Sequence, residues 1–193
     1  MPALLRSVSP RATARVHESL VCVEYVDRQY ASGALGSGDA DVRRGVAVAE
    51  EQILPNFYRL LMEQEQPRRD AAAEAIRAGL LAWVAARPPG AAEGGPFFTG
   101  ARFTAADIAL CPWWPQRLEW IAGAYRAFEL PEGALEYAPL RVFAEAVQAR
   151  PAVQRTLVSR ERLVRNYTNY ADGSASSAVA KTFRREGAGD AKL

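Results

Sequence analysis

The sequence predicts a mainly α-helical protein, a bundle of about six helices behind a small non-helical N-terminal piece. Three observations predict it. Beyond residue 18, apolar side chains recur at steps of three and four, the period of helices with one buried face. Phe103-Thr104-Ala105-Ala106-Asp107-Ile108 combines a capping box with a hydrophobic staple in one short run. Gly- and Pro-rich punctuation falls between the periodic stretches, at residues 31–38 and 87–90.

The elements follow in order. Residues 1–17 carry Arg6, Arg11 and Arg15 with no acid, but Pro2 and Pro10 interrupt any amphipathic helix of the presequence kind. A strand-turn-strand segment is expected there. Ser19 to Tyr30 begins apolar, with Leu20, Val21, Cys22 and Val23, and ends charged, so it is a short helix that needs cover on one side. Residues 31–38 mark the domain boundary. Asp39 or Asp41 caps a long helix reaching about Gln64, with Val42, Val46, Ala49, Ile53, Phe57 and Leu60 on its buried stripe. Pro55, within that stripe, predicts a kink. A second helix runs from about Arg69 to Ala86, with Ile76, Leu80, Trp83 and Val84 inside, and Arg87-Pro88-Pro89-Gly90 stops it. Thr104 then opens a central helix expected to continue through Cys111, Trp114, Leu118 and Ile121. Later helices are marked by Leu140, Phe143 and Val147, by Pro151 ahead of Val153 and Leu157, and by Leu163, Val164 and Tyr167. Residues 184–193, Gly-rich and charged, read as a disordered tail.

Composition narrows the function classes. The chain is 49% hydrophobic and 24% charged over 193 residues, enough for a core without covalent staples. Its 24 Lys plus Arg against 22 Asp plus Glu leave a net charge of +2, which gives no electrostatic reason to expect nucleic acid or a membrane surface as partner. No apolar run reaches the roughly 18 residues of a membrane span. Cys22 and Cys111 lie far apart and His17 is the single histidine, which argues against a disulfide framework and against a metal site. A reduced, cytoplasmic setting is the expectation.

Four segments then resemble the glutathione transferase superfamily, and within it the omega-like class. His17-Glu18-Ser19-Leu20-Val21-Cys22-Val23-Glu24-Tyr25-Val26-Asp27 resembles the Glu-Ser segment and helix that close the family's thioredoxin-like domain. Phe103 to Leu110 resembles the capping box and staple of its central C-terminal helix. Pro112-Trp113-Trp114-Pro115-Gln116-Arg117-Leu118-Glu119 resembles the Pro-Trp and Arg-Leu-Glu stretch of omega members, with an extra residue. Met1-Pro2-Ala3-Leu4-Leu5 resembles the family's Val-Pro-x-Leu strand, whose proline is cis.

The resemblance implies a fold: the family's C-terminal helical bundle over residues 39–183, preceded over residues 1–31 by a β-hairpin and helix, the remnant of a thioredoxin-like glutathione-binding domain. It also implies that the β-α-β unit bearing the family's catalytic Cys, Ser or Tyr falls outside these 193 residues. On that expectation the chain carries no catalytic residue of its own. An isolated hairpin is marginal in water, so the apolar face of Leu20, Val21, Val23 and Val26 calls for a covering partner, in keeping with the homodimers common in the family.

By the same resemblance Met1, Glu18 and Ser19 are the glutathione-binding candidates. The chemistry is sound: a helix N-terminus attracts a carboxylate, and a neighbouring acid pairs an ammonium. The plain alternative for Ser19 is a helix cap. Trp113, Trp114, Arg117 and Tyr125 are the candidates for an acceptor pocket, with bundle core the alternative for the tryptophans and a helical ion pair for Arg117. Cys22 and Cys111 read as core thiols, His17 as a strand-end residue, and Glu50-Glu51 as a solvated face.

Two functions from different classes follow. One is glutathione-dependent thiol transfer or dehydroascorbate-type reduction, with glutathione as co-substrate and a small electrophilic or disulfide acceptor; in the family a Cys thiolate attacks a mixed disulfide that glutathione resolves. The other is a non-catalytic helical interaction or ligand-holding module.

Overall fold

The computed structural model describes residues 16 and 18–189. Helix α1 (Ser19–Tyr30) is followed by the loop of residues 31–39 and then by α2 (Ala40–Val48). Asp39 caps α2 by accepting the Asp41 amide at 2.9 Å. The chain passes through a π-helical turn, Ala49–Ile53, into α3 (Leu54–Met62). That turn is the form the expected kink takes. Pro55 has no N–H for the carbonyl four residues back, and its ring crowds the preceding turn; a wider turn just before it relieves both conflicts.

Helix α4 (Gln66–Ala85) packs back on α3 and on the π turn. Gly79 permits the approach, since a Cβ there would stand 3.1 Å from the Gln52 Cβ. A short α5 (Ala91–Gly94) lies in the loop ahead of α6 (Ala105–Leu110). The Arg87 guanidinium closes this loop, donating to the carbonyls of Ala91, Gly95, Phe97 and Phe98 at 2.8–3.4 Å. Helix α6 crosses α2 at Gly45, where a Cβ would lie 2.7 Å from the Phe98 ring.

The central helix is not continuous, contrary to the sequence expectation. Helical turns over Pro112–Ala122 follow α6, but Trp114 is extended, with φ −113° and ψ 125°, and the Trp114–Pro115 peptide is cis. The reason is local: a residue before proline avoids the helical region, and Pro112 and Pro115 flank the two tryptophans. Beyond it come α7 (Gly123–Arg126), a 3-10 turn at Leu135–Tyr137, α8 (Ala138–Gln148), α9 (Pro151–Gln154), α10 (Arg160–Asn166), α11 (Thr168–Ala171) and α12 (Ala178–Gly189). Helix α9 stops short of Leu157, which is exposed. Helix α12 occupies much of the stretch read as a disordered tail; its amphipathic first half supplies Ala180 to the buried set, and residues 190–193 lie outside the described residues.

One core runs through these helices. Ile53, Phe57, Leu60, Ile76, Leu80, Trp83, Phe98, Leu118 and Phe143 are all fully buried in it. Among the described residues there is no β-strand, only an isolated bridge between Phe97 and Gly100. The expected N-terminal hairpin and the Met1 assignment lie outside the described residues. Helix α1 rests on the body through Leu20, whereas Val21 and Val26 are each 51% exposed. Tyr25 and Tyr30 are exposed as well, while Leu20 and Val23 are partly covered, so the uncovered side of this helix is made of Val21, Tyr25, Val26 and Tyr30.

Candidate functional site

Two groups of side chains flank α1 and the Pro112–Ala122 turns. The first is the N-terminal end of α1. Glu18 occupies the cap position with φ 72° and ψ 127°, a left-handed conformation for a non-glycine residue. Such backbone costs on the order of 1–3 kcal/mol and clusters at ligand sites. Ser19 is the first helical residue and not the cap, and among the described residues no side-chain cap hydrogen bond closes this end of α1. The first intrahelical bond runs from the Cys22 amide to the Glu18 carbonyl at 2.9 Å. The amides of Ser19, Leu20 and Val21 thus head the helix beside an exposed serine hydroxyl.

The charge of Glu18 reaches Glu50 in the π turn. Burial first, then the negative charges of Glu18 and Glu51, hold its carboxyl above the ordinary 4.5. A negative field therefore lies beside a helix N-terminus, the arrangement that suits a zwitterion: amides for its carboxylate, acids for its ammonium.

The second group is an aromatic wall. The Arg117 guanidinium lies over the Trp113 ring, 4.8 Å from its centroid. Its Nε donates to the Tyr167 hydroxyl at 3.1 Å, and its Nη1 to the Pro112 carbonyl at 2.7 Å. Tyr58 of α3 stands edge-on to Trp113 with centroids 6.0 Å apart and stacks on Phe183 of α12 at 5.3 Å. Burial, followed by the neighbouring Tyr167 hydroxyl, pushes the Tyr58 phenol well up, so it stays protonated at neutral pH. Tyr58 also lines an open cleft of about 720 Å³ with Met62, Arg59 and Phe183.

The extended backbone at Trp114 separates the paired tryptophans. Trp113 faces the wall half-buried, while Trp114 is 3% exposed and its indole donates to the Leu140 carbonyl at 3.0 Å, a core role. Tyr125 ties helices together: its hydroxyl donates to the Val164 carbonyl at 3.1 Å and shares a hydrogen bond with Thr168 at 2.8 Å. It stands at a second, smaller cleft with Gln66, Arg69 and Arg126.

Neither cysteine is set up as a nucleophile. The Cys22 thiol sits 3.6 Å from the Val16 carbonyl inside the first turns of α1. Burial, then the Asp107 carboxylate, pushes the Cys111 thiol up to about 12, so its thiolate is scarce at neutral pH. Among the described residues no group of three or more metal-ligating side chains forms, and no helix is long and apolar enough to cross a membrane.

Sequence reasoning missed Glu50, Tyr58 and Phe183. Tyr58 sits one position off the buried stripe defined by Phe57, and its partners come from distant segments. The tyrosine's position at the stripe's edge was the available signal.

No family model matches the chain, and no curated protein matches it. Among solved structures, the chain is similar to the glutathione transferase Omega 3C from Trametes versicolor, with a TM-score of 0.59 and 26% identity. The likeness covers 75% of this chain and 63% of that one, so this chain spans less than two thirds of that transferase's length. The likeness supports the glutathione transferase superfamily and a helical body of that kind.

Proposed function

We propose that these residues form part of an omega-like glutathione transferase, supplying the γ-glutamyl end of the glutathione site and a wall of the acceptor site. The observation that carries the reading is the start of α1. There a left-handed Glu18, whose charge reaches Glu50, stands before a first-turn Ser19 and the open amides of the helix, in a chain whose helical body is similar to a glutathione transferase. The amides and the Ser19 hydroxyl would take the γ-glutamyl carboxylate, and Glu18 with Glu50 the ammonium. Trp113, Arg117 and Tyr58 would present a flat apolar surface with one fixed cation to a small electrophilic or disulfide acceptor. Met1 keeps its proposed place in the glutathione site by resemblance, as do a cytoplasmic setting and a homodimer.

The described residues hold no thiolate-ready cysteine at a helix start. The 193-residue chain is therefore expected to turn over a disulfide acceptor little, and the γ-glutamyl part of the site alone is expected to bind glutathione weakly, on the order of millimolar. Calorimetric titration of the full chain tests this. One saturable glutathione site is expected, weakened about tenfold in Ser19→Ala and unchanged in Arg117→Ala. Absence of saturable binding would overturn the reading. It would favour the second one, a non-catalytic helical interaction or ligand-holding module, which the half-exposed Val21 and Val26 support.

A further inference from the structure

Besides Leu20, helix α1 is tied to the linker and the helical body through a buried carboxylate. Asp27 is fully buried although its helix neighbours Val26 and Arg28 are exposed. Its Oδ1 accepts the Leu35 amide at 2.8 Å, and its Oδ2 accepts the Ser37 hydroxyl at 2.7 Å and, less closely, the Ser37 amide at 3.4 Å. The Asp27 backbone carbonyl accepts the amides of Ala31 and Gly33, both at 3.0 Å. Leu35, held this way, gives its own carbonyl to the amide of Ala105, the first residue of α6, at 3.0 Å. Arg102, in the loop ahead of α6, is the cation whose field reaches the carboxylate, and it lies 3.8 Å from Asp39 at the far end of the linker. A continuous polar path thus runs from α1 through residues 31–37 into α6.

The position of this anchor matters because α1 is a lever. Asp27 and Glu18 are separated by about 13 Å of helix, at the usual rise per residue. A tilt of roughly 10° about the Asp27 end moves the Glu18 end by about 2 Å. Displacements of that size are enough to spoil the placement of a bound ligand against a second site. Apart from Leu20 at the other end of the helix, α1 offers the body few apolar contacts that would resist the tilt.

We infer that Asp27 is a positioning residue: through Leu35 and Ser37 it fixes the attitude of α1 on the helical body, and so sets where Glu18 and Ser19 stand relative to Trp113 and Arg117. Its consequence for ligand binding rests on the proposed glutathione reading; its geometry does not.

The test uses the full chain and the variants Asp27→Asn and Ser37→Ala, read by native-state hydrogen exchange and by glutathione titration. In Asp27→Asn, exchange across residues 20–37 is expected to quicken about tenfold while amides of α3 and α8 change little, as in a local opening. Ser37→Ala keeps the carboxylate and is expected to give a smaller shift over the same residues, and it carries the test should Asp27→Asn fail to fold. Glutathione affinity is expected to fall in both variants in the order of their exchange effects. Equal acceleration in α1 and α3 overturns the inference, because Asp27 then only supports the whole fold; so does unchanged exchange, and so does local opening with unaltered affinity. Ser19→Ala keeps the two readings apart. If the parent chain binds no glutathione, or Ser19→Ala binds it equally well, the proposed function has failed and the exchange pattern alone judges the anchor.

Discussion

Asp107 and Asp27 are two buried carboxylates with the same kinds of donors and opposite electrostatic outcomes. At the head of α6, Asp107 accepts the Thr104 amide at 2.7 Å and the Thr104 hydroxyl at 2.8 Å on one oxygen, and the Phe98 amide at 2.7 Å on the other. At the end of α1, Asp27 accepts two amides and a serine hydroxyl. Yet burial raises the Asp107 carboxyl above the ordinary 3.8, with the donors from Phe98 and Thr104 only moderating it. For Asp27 burial acts in the same direction but is outweighed by Leu35, Ser37 and Arg102, which hold the carboxyl below 3.8. The difference lies in the surroundings. Asp107 is embedded in the body against Phe98 and Ala106, while Asp27 sits where a single helix meets a loop. One carboxylate organises the core; the other fastens an appended helix to it.

The largest expected effect is on the core side. Asp107→Ala strands three buried donors and should cost about 3 kcal/mol in urea unfolding, whereas Asp27→Ala, whose donors lie nearer water, should cost less than half of that. Equal costs would erase the distinction. Next comes Thr104→Ala, which removes one arm of the capping box and should cost about 1 kcal/mol by the same measurement.

The pH dependence should separate the two carboxylates by sign. A carboxyl lowered on folding stabilises above 3.8 and loses that contribution as pH falls through its folded value, which is the Asp27 case. A carboxyl raised on folding favours the folded state below 3.8 and loses that contribution as pH rises through its folded value, which is the Asp107 case. Between about pH 6 and pH 3, the fall in unfolding free energy should therefore be shallower in Asp27→Asn than in the parent chain and steeper in Asp107→Asn. Slopes that change in the same direction would mean that folding moves both carboxyls the same way. The smallest effect belongs to the exposed face of α1: Val26→Ser should alter stability by less than about 0.5 kcal/mol.

The same contrast explains what could be read from the sequence. Thr104 and Asp107 stand three residues apart with Phe103 and Ile108 as staple, so the head of α6 is written locally. The buried stripe of α2 and α3 and the disturbance at Pro55 are equally local. The break at Trp114 was signalled only by the two nearby prolines and was lost under the apolar period of Leu118 and Ile121. The Asp27 anchor was not legible, because its partners lie eight and ten residues away in a Gly- and Ser-rich loop that reads as a boundary. The aromatic wall was half legible. Trp113 and Arg117 come from one motif, but Tyr58, Tyr167 and Phe183 reach it from three other elements, and only tertiary packing brings them together. Glu50 reads as solvated surface in the sequence because nothing in its own segment shows that the charge of Glu18 reaches it.

On the proposed reading, the start of α1 holds the γ-glutamyl end of glutathione. Hydrogen exchange of the full chain with and without saturating glutathione addresses it directly, because the proposed ligands include backbone amides. Protection is expected at Ser19, Leu20 and Val21, with no change in the core amides of α4 and α8, and is expected to need about tenfold more glutathione in Ser19→Ala. Protection confined to the cleft around Tyr58 and Met62, or spread evenly over the chain, would contradict the claim.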